Sequence, residues 1–416
     1  MRSLLSSWNK LVVAICFAVC VPYGLAQSSS SASAQKPADF DGNDPDRQQA
    51  MQLFDQHKMP EAVPLLEKVV AKYPKDVVTH ERLGVALVSR ADTQSDPEKA
   101  KEDRIHARSE LLRARELGDN SDLCKTLLAM IREDGSGSSF SAKAEADAAM
   151  KRGEAAYAKG AWEEAIKEYS RALELDPKLY LAAVNIGDTY FAQKQMDKAG
   201  EWFAAAVRID PDRETAYRYW GDALLGQGKM KEARSKFIEG VVANPYRPPS
   251  WNGLNNWLSR NHLKMKDIPI ELPAGPTTND KGETVIALDA SILGNKNDSS
   301  GAAWLVYSGE RSLWRTDKFT KEFPQETTYR HSLKEEVSAL SLTVSVFHEL
   351  QQKKKDKNPN PSLTLLSQFK AEGLLEPYVL LIKPDKGIAQ DYEAYRTAHR
   401  EKLVEFLDKY VVPSPQ

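Results

Sequence analysis

The chain has 416 residues, with 57 Lys and Arg against 59 Asp and Glu and a net charge of −2. That mixed, near-neutral balance argues against a surface built mainly for nucleic acid, which needs a clustered excess of cations. Two of its three cysteines, Cys16 and Cys20, lie within the first 26 residues, so beyond that segment only Cys124 remains and no internal disulfide can form.

In chain order, Arg2 and Lys10 precede the uncharged apolar run Leu11–Tyr23, and Gly24-Leu25-Ala26 follows with small residues. Basic, apolar and small residues in that order predict a secretory signal peptide over 1–26 and an exported mature chain starting at Gln27, periplasmic or secreted. The run is shorter than the roughly 20 residues a membrane span needs, and no later segment is long enough. Phe17-Ala18-Val19 before Cys20 fits a lipidation signal poorly, so no lipoprotein is expected. Residues 27–46, rich in Ser, Ala, Asp and Pro, are predicted to be a disordered tether.

Over 47–131 the pattern is helical but irregular. Pro74 closes one helical pair, with Ala62, Leu66 and Val69 on the buried side of its second helix, and His80, Leu83, Gly84 and Leu87 open another. The partner helix of that second pair is predicted to begin near Ala107 and to continue through Leu111 and Ala114, which leaves the charged stretch Ala91–His106 as an extended hairpin tip. Cys124, beside Leu123, Leu127 and Leu128, is expected to be a buried apolar residue rather than a nucleophile. Residues 132–145 are Gly- and Ser-rich and are predicted to be an exposed linker that proteases nick at Gly135–Ser139.

A strict period then takes over. Pro177, Pro211 and Pro245 are spaced by 34, and so are Gly153, Gly187 and Gly221, then Ala165, Ala199 and Ala233, then Tyr169, Phe203 and Phe237, then Ala172, Ala206 and Gly240. Each residue type has a physical role. Small residues let paired helices cross closely, aromatics fill the space between hairpins, and proline ends the second helix. Ala146–Leu179, Tyr180–Arg213 and Glu214–Arg247 resemble tetratricopeptide repeats (TPRs), whose period is about 34 residues. Residues 47–131 are then degenerate TPR-like helices. Residues 146–265 are three repeats and a capping helix around Trp251, Leu254 and Leu258, with Asn255 where a fourth glycine is due.

The resemblance implies that the first helix of each pair lines a concave groove. It places Met150, Lys151, Glu154 and Tyr157, then Val184, Asn185, Asp188 and Phe191, then Arg218, Tyr219, Asp222 and Leu225 there. Glu154, Asp188 and Asp222 recur at the period and predict an acidic row along the groove floor, while Tyr157 and Phe191 suit either ligand contact or packing between helices. Some TPR domains clamp the C-terminal carboxylate of chaperones with lysine, arginine and asparagine. This chain keeps Asn185, with Lys151 and Arg218 nearby, but Glu154 and Tyr219 stand where the clamp has asparagine and a basic residue, which counts against carboxylate capture.

From 266 onward the sequence resembles no recognised family and predicts a mostly helical domain with a small β element, a hairpin of Ile268–Leu272 with Thr284–Leu288. Helices are predicted over Ser300–Lys321, His331–Gln352, Ser362–Glu372 and Leu374–Ile382, with a final one around Gln390–Tyr410. His331 and Glu335 sit one helical turn apart, yet no HExxH, CxxC, G-x-S-x-G or phosphate loop occurs, so no metal, cofactor or catalytic residue is expected. Glu335 and Glu336 are expected to meet a helix dipole. The whole is read as mainly α, an α-solenoid followed by an α-rich domain. It is expected to act as a non-enzymatic scaffold of the cell envelope that binds a protein or peptide partner carrying basic residues. Two alternatives stay open: an envelope hydrolase with a catalytic C-terminal domain, and a peptide or cargo chaperone.

Overall fold

The computed structural model describes residues 44–94, 96–119, 121–137, 139–278, 284–285, 300–354 and 359–414. The signal peptide, Cys20 and the tether up to residue 43 lie outside them. The described residues form two compact units that part between Trp257 and Leu258.

The first unit opens with α1 (Pro45–Asp55), so the last two tether residues are helical. Asp44 caps this helix by accepting from the Arg47 N–H at 3.0 Å, and Pro45 suits the first helical position. Four helices follow: α2 (Met59–Lys72), α3 (Val77–Thr93), α4 (Pro97–Glu116) and α5 (Asp122–Met130). Ala62, Leu66 and Val69 are buried as the pattern implies. The expected extended tip over Ala91–His106 is instead mostly helix. Asp96 caps α4 ten residues earlier than predicted, and the charges that suggested a loop pair across the two helices, Arg90 with Asp103 at 2.6 Å and Arg104 with Asp92 at 3.7 Å. Cys124 is buried, and burial pushes its thiol up to about 12.

The predicted linker is also corrected. The Ser139 N–H donates to the Met130 carbonyl at 2.6 Å and the Arg132 N–H to the Gly137 carbonyl at 3.1 Å, while Arg108 donates to the Leu128 and Ile131 carbonyls. Phe140 is buried and Ser139 and Ser141 beside it, so the loop is folded against the helices there, while among its described residues 132–134, 136 and 142–145 are exposed. Gly and Ser there serve a tight turn, with Gly135 at φ +69°.

The periodic region forms six helices: α6 (Ala144–Ala158), α7 (Trp162–Leu175), α8 (Tyr180–Ala192), α9 (Met196–Ile209), α10 (Glu214–Gly226) and α11 (Met230–Ala243). Helices α7, α9 and α11 each stop two residues before Pro177, Pro211 or Pro245. The glycines make room for rings of their own hairpin. A Cβ on Gly153, Gly187 or Gly221 would stand 2.5, 2.6 or 2.4 Å from the ring of Tyr169, Phe203 or Phe237. The aromatic slot therefore packs within its own hairpin as well as against the next one, the packing the sequence suggests, where Phe203 meets Tyr219 and Phe237 meets Gly253. Helix α12 (Pro248–Arg260) caps the array with Gly253, not position 255, against Phe237, and the Trp257 indole donates to the Met230 carbonyl at 2.9 Å. That anchoring places Trp257 in the first unit, before the predicted 265/266 boundary.

The second unit contains α13 (Ser300–Leu313), a wide turn at Trp314–Lys318, α14 (Phe319–Glu322), α15 (Leu333–Lys354), α16 (Pro361–Glu372), α17 (Leu375–Ile382), the short α18 (Lys386–Ala389) and α19 (Tyr392–Phe406). Helix α19 breaks at His399, where φ is −142°. Phe369, Tyr378 and Phe406 form its aromatic core. Ile268–Leu272 is not a strand. Thr277–Thr278 pairs antiparallel with Thr284–Val285, a two-residue ladder too short to organise the unit, and residues 286–288 lie outside those described.

Candidate functional site

Helices α6, α8 and α10 present equivalent faces because the period repeats their positions. On that face the structure brings Glu154, Asn185, Asp188 and Tyr157 together. The Asn185 amide donates to Glu154 Oε1 at 2.5 Å, and the Tyr157 hydroxyl donates to Asp188 Oδ2 at 3.3 Å, so each bond ties the first repeat to the second. Tyr169 also stands beside Glu154 and favours its charged form. Sequence reasoning missed this role, although Tyr169 is the one member of the Tyr169, Phe203, Phe237 series that carries a hydroxyl.

Both acids are half-buried, and among the described residues neither forms an ion pair. Burial, with Asp188 as a like charge beside it, pushes the Glu154 carboxyl up to about 7. Burial also raises Asp188, against the Tyr157 hydrogen bond and the charge of Arg218. The row is therefore less charged near neutral pH than three independent carboxylates.

The remaining predicted residues divide. Arg218 lies with its guanidinium 4.6 Å from the Tyr219 ring centre and its buried Nε without a hydrogen-bond acceptor, and Tyr219 meets Phe203 edge-on at 5.7 Å. Phe191 packs on Ala199, Phe203 and Ala223, a role between helices. Tyr157 also packs between helices, with its ring against Trp162 at 5.1 Å and its hydroxyl on Asp188. Lys151 pairs with Asp147 one turn back at 2.7 Å, while Asp222 is half-buried at its expected position. Met150 and Val184 are buried and take no part in an open surface.

The tetratricopeptide repeat family matches residues 139–180 and 151–214. This stretch consists of TPRs. The first TPR of Spaghetti (RPAP3), solved bound to an HSP90 peptide, is 22% identical; the match covers 28% of this chain and 92% of that one, with a TM-score of 0.26. The Sgt2 TPR domain from Aspergillus fumigatus is 25% identical over 30% of this chain and 83% of its own, with a TM-score of 0.28. Pseudomonas aeruginosa pilF is 16% identical over 52% and 83%, with a TM-score of 0.26. No curated protein matches the sequence. TPR domains mediate protein–protein interaction and peptide binding, and among the described residues no helix is long and apolar enough to cross a membrane.

Glu154 makes the TPR face testable by pH. Its folded-state value of about 7 lies above the ordinary 4.5, so between these values the folded state holds more proton than the unfolded one and stability falls as pH rises through the window. Glu154→Gln keeps an acceptor for Asn185 and abolishes the titration. The variant is expected to be more stable than the parent by about 1–3 kcal/mol at pH 8, with little difference at pH 4, since a tenfold change in proton affinity is about 1.4 kcal/mol. Urea unfolding at both pH values checks this; parallel pH profiles for the two proteins would contradict the burial of Glu154.

In the second unit, His331 and Glu335 do not face a common site. His331 Nδ1 meets Asp385 at 2.6 Å and Nε2 meets Glu336 at 3.0 Å, so both ring nitrogens are engaged. Glu335 and Glu336 stand in the first turn of α15, as expected, and are buried there against Arg311 at 2.7 and 2.8 Å and against the Tyr329 and Tyr307 hydroxyls. His348 is exposed further along α15. Among the described residues no group of three His, Cys, Asp or Glu is arranged to hold a metal ion.

Proposed function

We propose that this protein is a non-catalytic TPR scaffold of the cell envelope that takes a partner segment carrying basic residues along Glu154, Asp188 and Asp222. The observation that carries the reading is the pair of half-buried acids, Glu154 and Asp188, held only by neutral hydrogen-bond donors. Carboxylates in that state cost desolvation that only the charge of Arg218, acting on Asp188, offsets in part, and a Lys or Arg from a partner supplies a direct counter-ion. Tyr157, Tyr219 and the Arg218 stem offer apolar contact beside them. The order of residues in Met1–Ala26 supports export, and a mature chain beginning at Gln27 is part of the proposal.

Binding a cation next to Glu154 lowers its proton affinity. Affinity is therefore expected to rise between pH 6 and pH 8 and to fall with salt, since screening shortens the field to about 8 Å at physiological ionic strength. The test replaces Glu154, Asp188 and Asp222 together by Ala and measures affinity for the partner recovered with the native protein. A folded triple variant that binds with unchanged affinity, pH dependence and salt dependence would overturn the proposal.

A further inference from the structure

Helix α5 is amphipathic in an unusual sense, because its two faces serve two parts of the first unit. Cys124, Leu127, Leu128 and Ile131 turn into an apolar cluster whose members all lie between Ala50 and Ile131. Asp122, Thr126 and Met130, at four-residue steps on the other side, meet the TPRs. Asp122 Oδ2 accepts from the Thr215 N–H at 3.2 Å and from its hydroxyl at 2.7 Å. Arg213 donates to the Asp122 carbonyl at 3.5 Å and to the Thr126 hydroxyl. Met130 joins the cluster that contains Ala149 and Met150 of α6. A nine-residue helix is about 13 Å long, so α5 reaches from the start of α10 to α6 across the first turns of the TPR inner helices. Just before it, Arg247 at the start of α12 donates to Asp119 at 3.0 Å and to Glu81 at 2.7 Å.

This contact differs in kind from a continuous core. The helices on its N-terminal side close their own apolar cluster, while the junction is made of ion pairs, hydroxyls and the two apolar residues Met130 and Phe140. Asp119 Oδ2 is buried there without a hydrogen-bond partner, and Asp122 Oδ1 faces Arg213 Nε at 3.6 Å, an ion pair too long for a hydrogen bond. Groups that give up water without full replacement weaken a contact, which suits one that opens.

We infer that α5 is a ligand held in cis: the first turns of the TPR inner helices form a site for a short helix with an acidic first turn, and the N-terminal helices fill it reversibly. The inference rests on the reading of this face as a peptide-binding face. The partner that fits carries an acid to meet Arg213, Thr215 and Arg247, a small hydroxyl residue four positions on and an unbranched apolar residue eight positions on. Such a segment competes with α5, whereas a basic segment at Glu154 and Asp188 does not need it removed.

The test uses the full chain and, as probe, a fluorescent peptide with the sequence of residues 119–131. Asp119→Lys with Asp122→Lys should repel Arg213 and Arg247, raise amide exchange across 122–130 at least tenfold and tighten probe binding at least tenfold over the parent. Asp122→Cys with Thr215→Cys should form a disulfide that abolishes probe binding until it is reduced. Unchanged exchange in the lysine variant, or equal probe binding by parent, lysine variant and locked variant, would overturn the inference. If the lysine variant does not fold, the locked pair decides alone, through probe binding that does or does not appear on reduction. Failure of the acidic-row reading would show in the Glu154, Asp188, Asp222 variant and leave the exchange result untouched.

Discussion

Gly187→Leu is expected to lower the melting temperature of the first unit by roughly 6–12 °C, the equivalent of about 3 kcal/mol or more in a unit of this size. The reason is local and steric. A Cβ alone at Gly187 would lie 2.6 Å from Phe203 Cε1 and 2.7 Å from Cδ1, and the Phe203 ring, itself buried, is hemmed in by Tyr219 at 5.7 Å. A buried ring with a neighbour on its other side yields only by moving that neighbour, so overpacking is expected to be transmitted rather than absorbed. Gly187→Ala should already cost about 1–3 kcal/mol. Phe203→Leu in the Gly187→Ala background should cost less than the two single changes summed, because the smaller side chain removes the clash. Additive effects, or a Gly187→Leu protein that melts with the parent, would show that the glycine–ring contact does not set the repeat geometry.

The second large effect belongs to the other unit and to pH. Burial alone would keep the His331 imidazole neutral, but hydrogen bonds to Asp385 and Glu336 outweigh it and raise the group to about 9. The folded value lies above the ordinary 6.5, so the stabilisation is complete below about pH 6.5 and is lost as pH rises through 9. With about 1.4 kcal/mol per tenfold change in proton affinity, the second unit should lose about 3 kcal/mol between pH 6 and pH 9.5. His331→Gln should cost a comparable amount at pH 6 and flatten the profile, because Glu336 is left buried with Arg311 and Tyr307 only. Denaturant unfolding followed by a probe in the second unit measures the profile, and NMR titration of the imidazole measures the group itself. An imidazole that titrates at or below 6.5 would contradict the buried two-carboxylate arrangement.

The parts of the fold that could be read from sequence were those governed by repetition or by local chemistry. The 34-residue spacing placed α6 to α11, because glycine, alanine, aromatic and proline each recur with one structural role. Apolar steps such as Leu340, Val344 and Phe347 located α15 in the same way. Elsewhere the same local logic misled. Ala91–His106 looked like a loop because its charges were counted as exposed, whereas Arg90 and Arg104 spend theirs on Asp103 and Asp92 across a helix pair. Gly253 escaped notice because α12 shifts two residues out of register with the repeats that precede it.

The candidate site was half legible for a related reason. Glu154, Asn185 and Asp188 share a register, so their meeting follows from the period. The contacts of Asp122 with Thr215 and of Arg247 with Glu81 span 93 and 166 residues, and no periodicity links them. The buried network of the second unit was hidden likewise, since Arg311 lies 24 residues from Glu335 in the chain and His331 reaches Glu336, not Glu335.

The measurement that bears most directly on the TPR face as the binding surface is site-specific photocrosslinking of the full chain in its native cells, with the reactive residue placed in turn at Tyr157, at Tyr219 and, as a control on the second unit, at the exposed Leu305. The account predicts one partner crosslinked from both TPR positions, through a segment containing Lys or Arg, and lost when Glu154, Asp188 and Asp222 are replaced by Ala. Crosslinking of that partner from Leu305 alone, unaffected by the triple replacement, would contradict it.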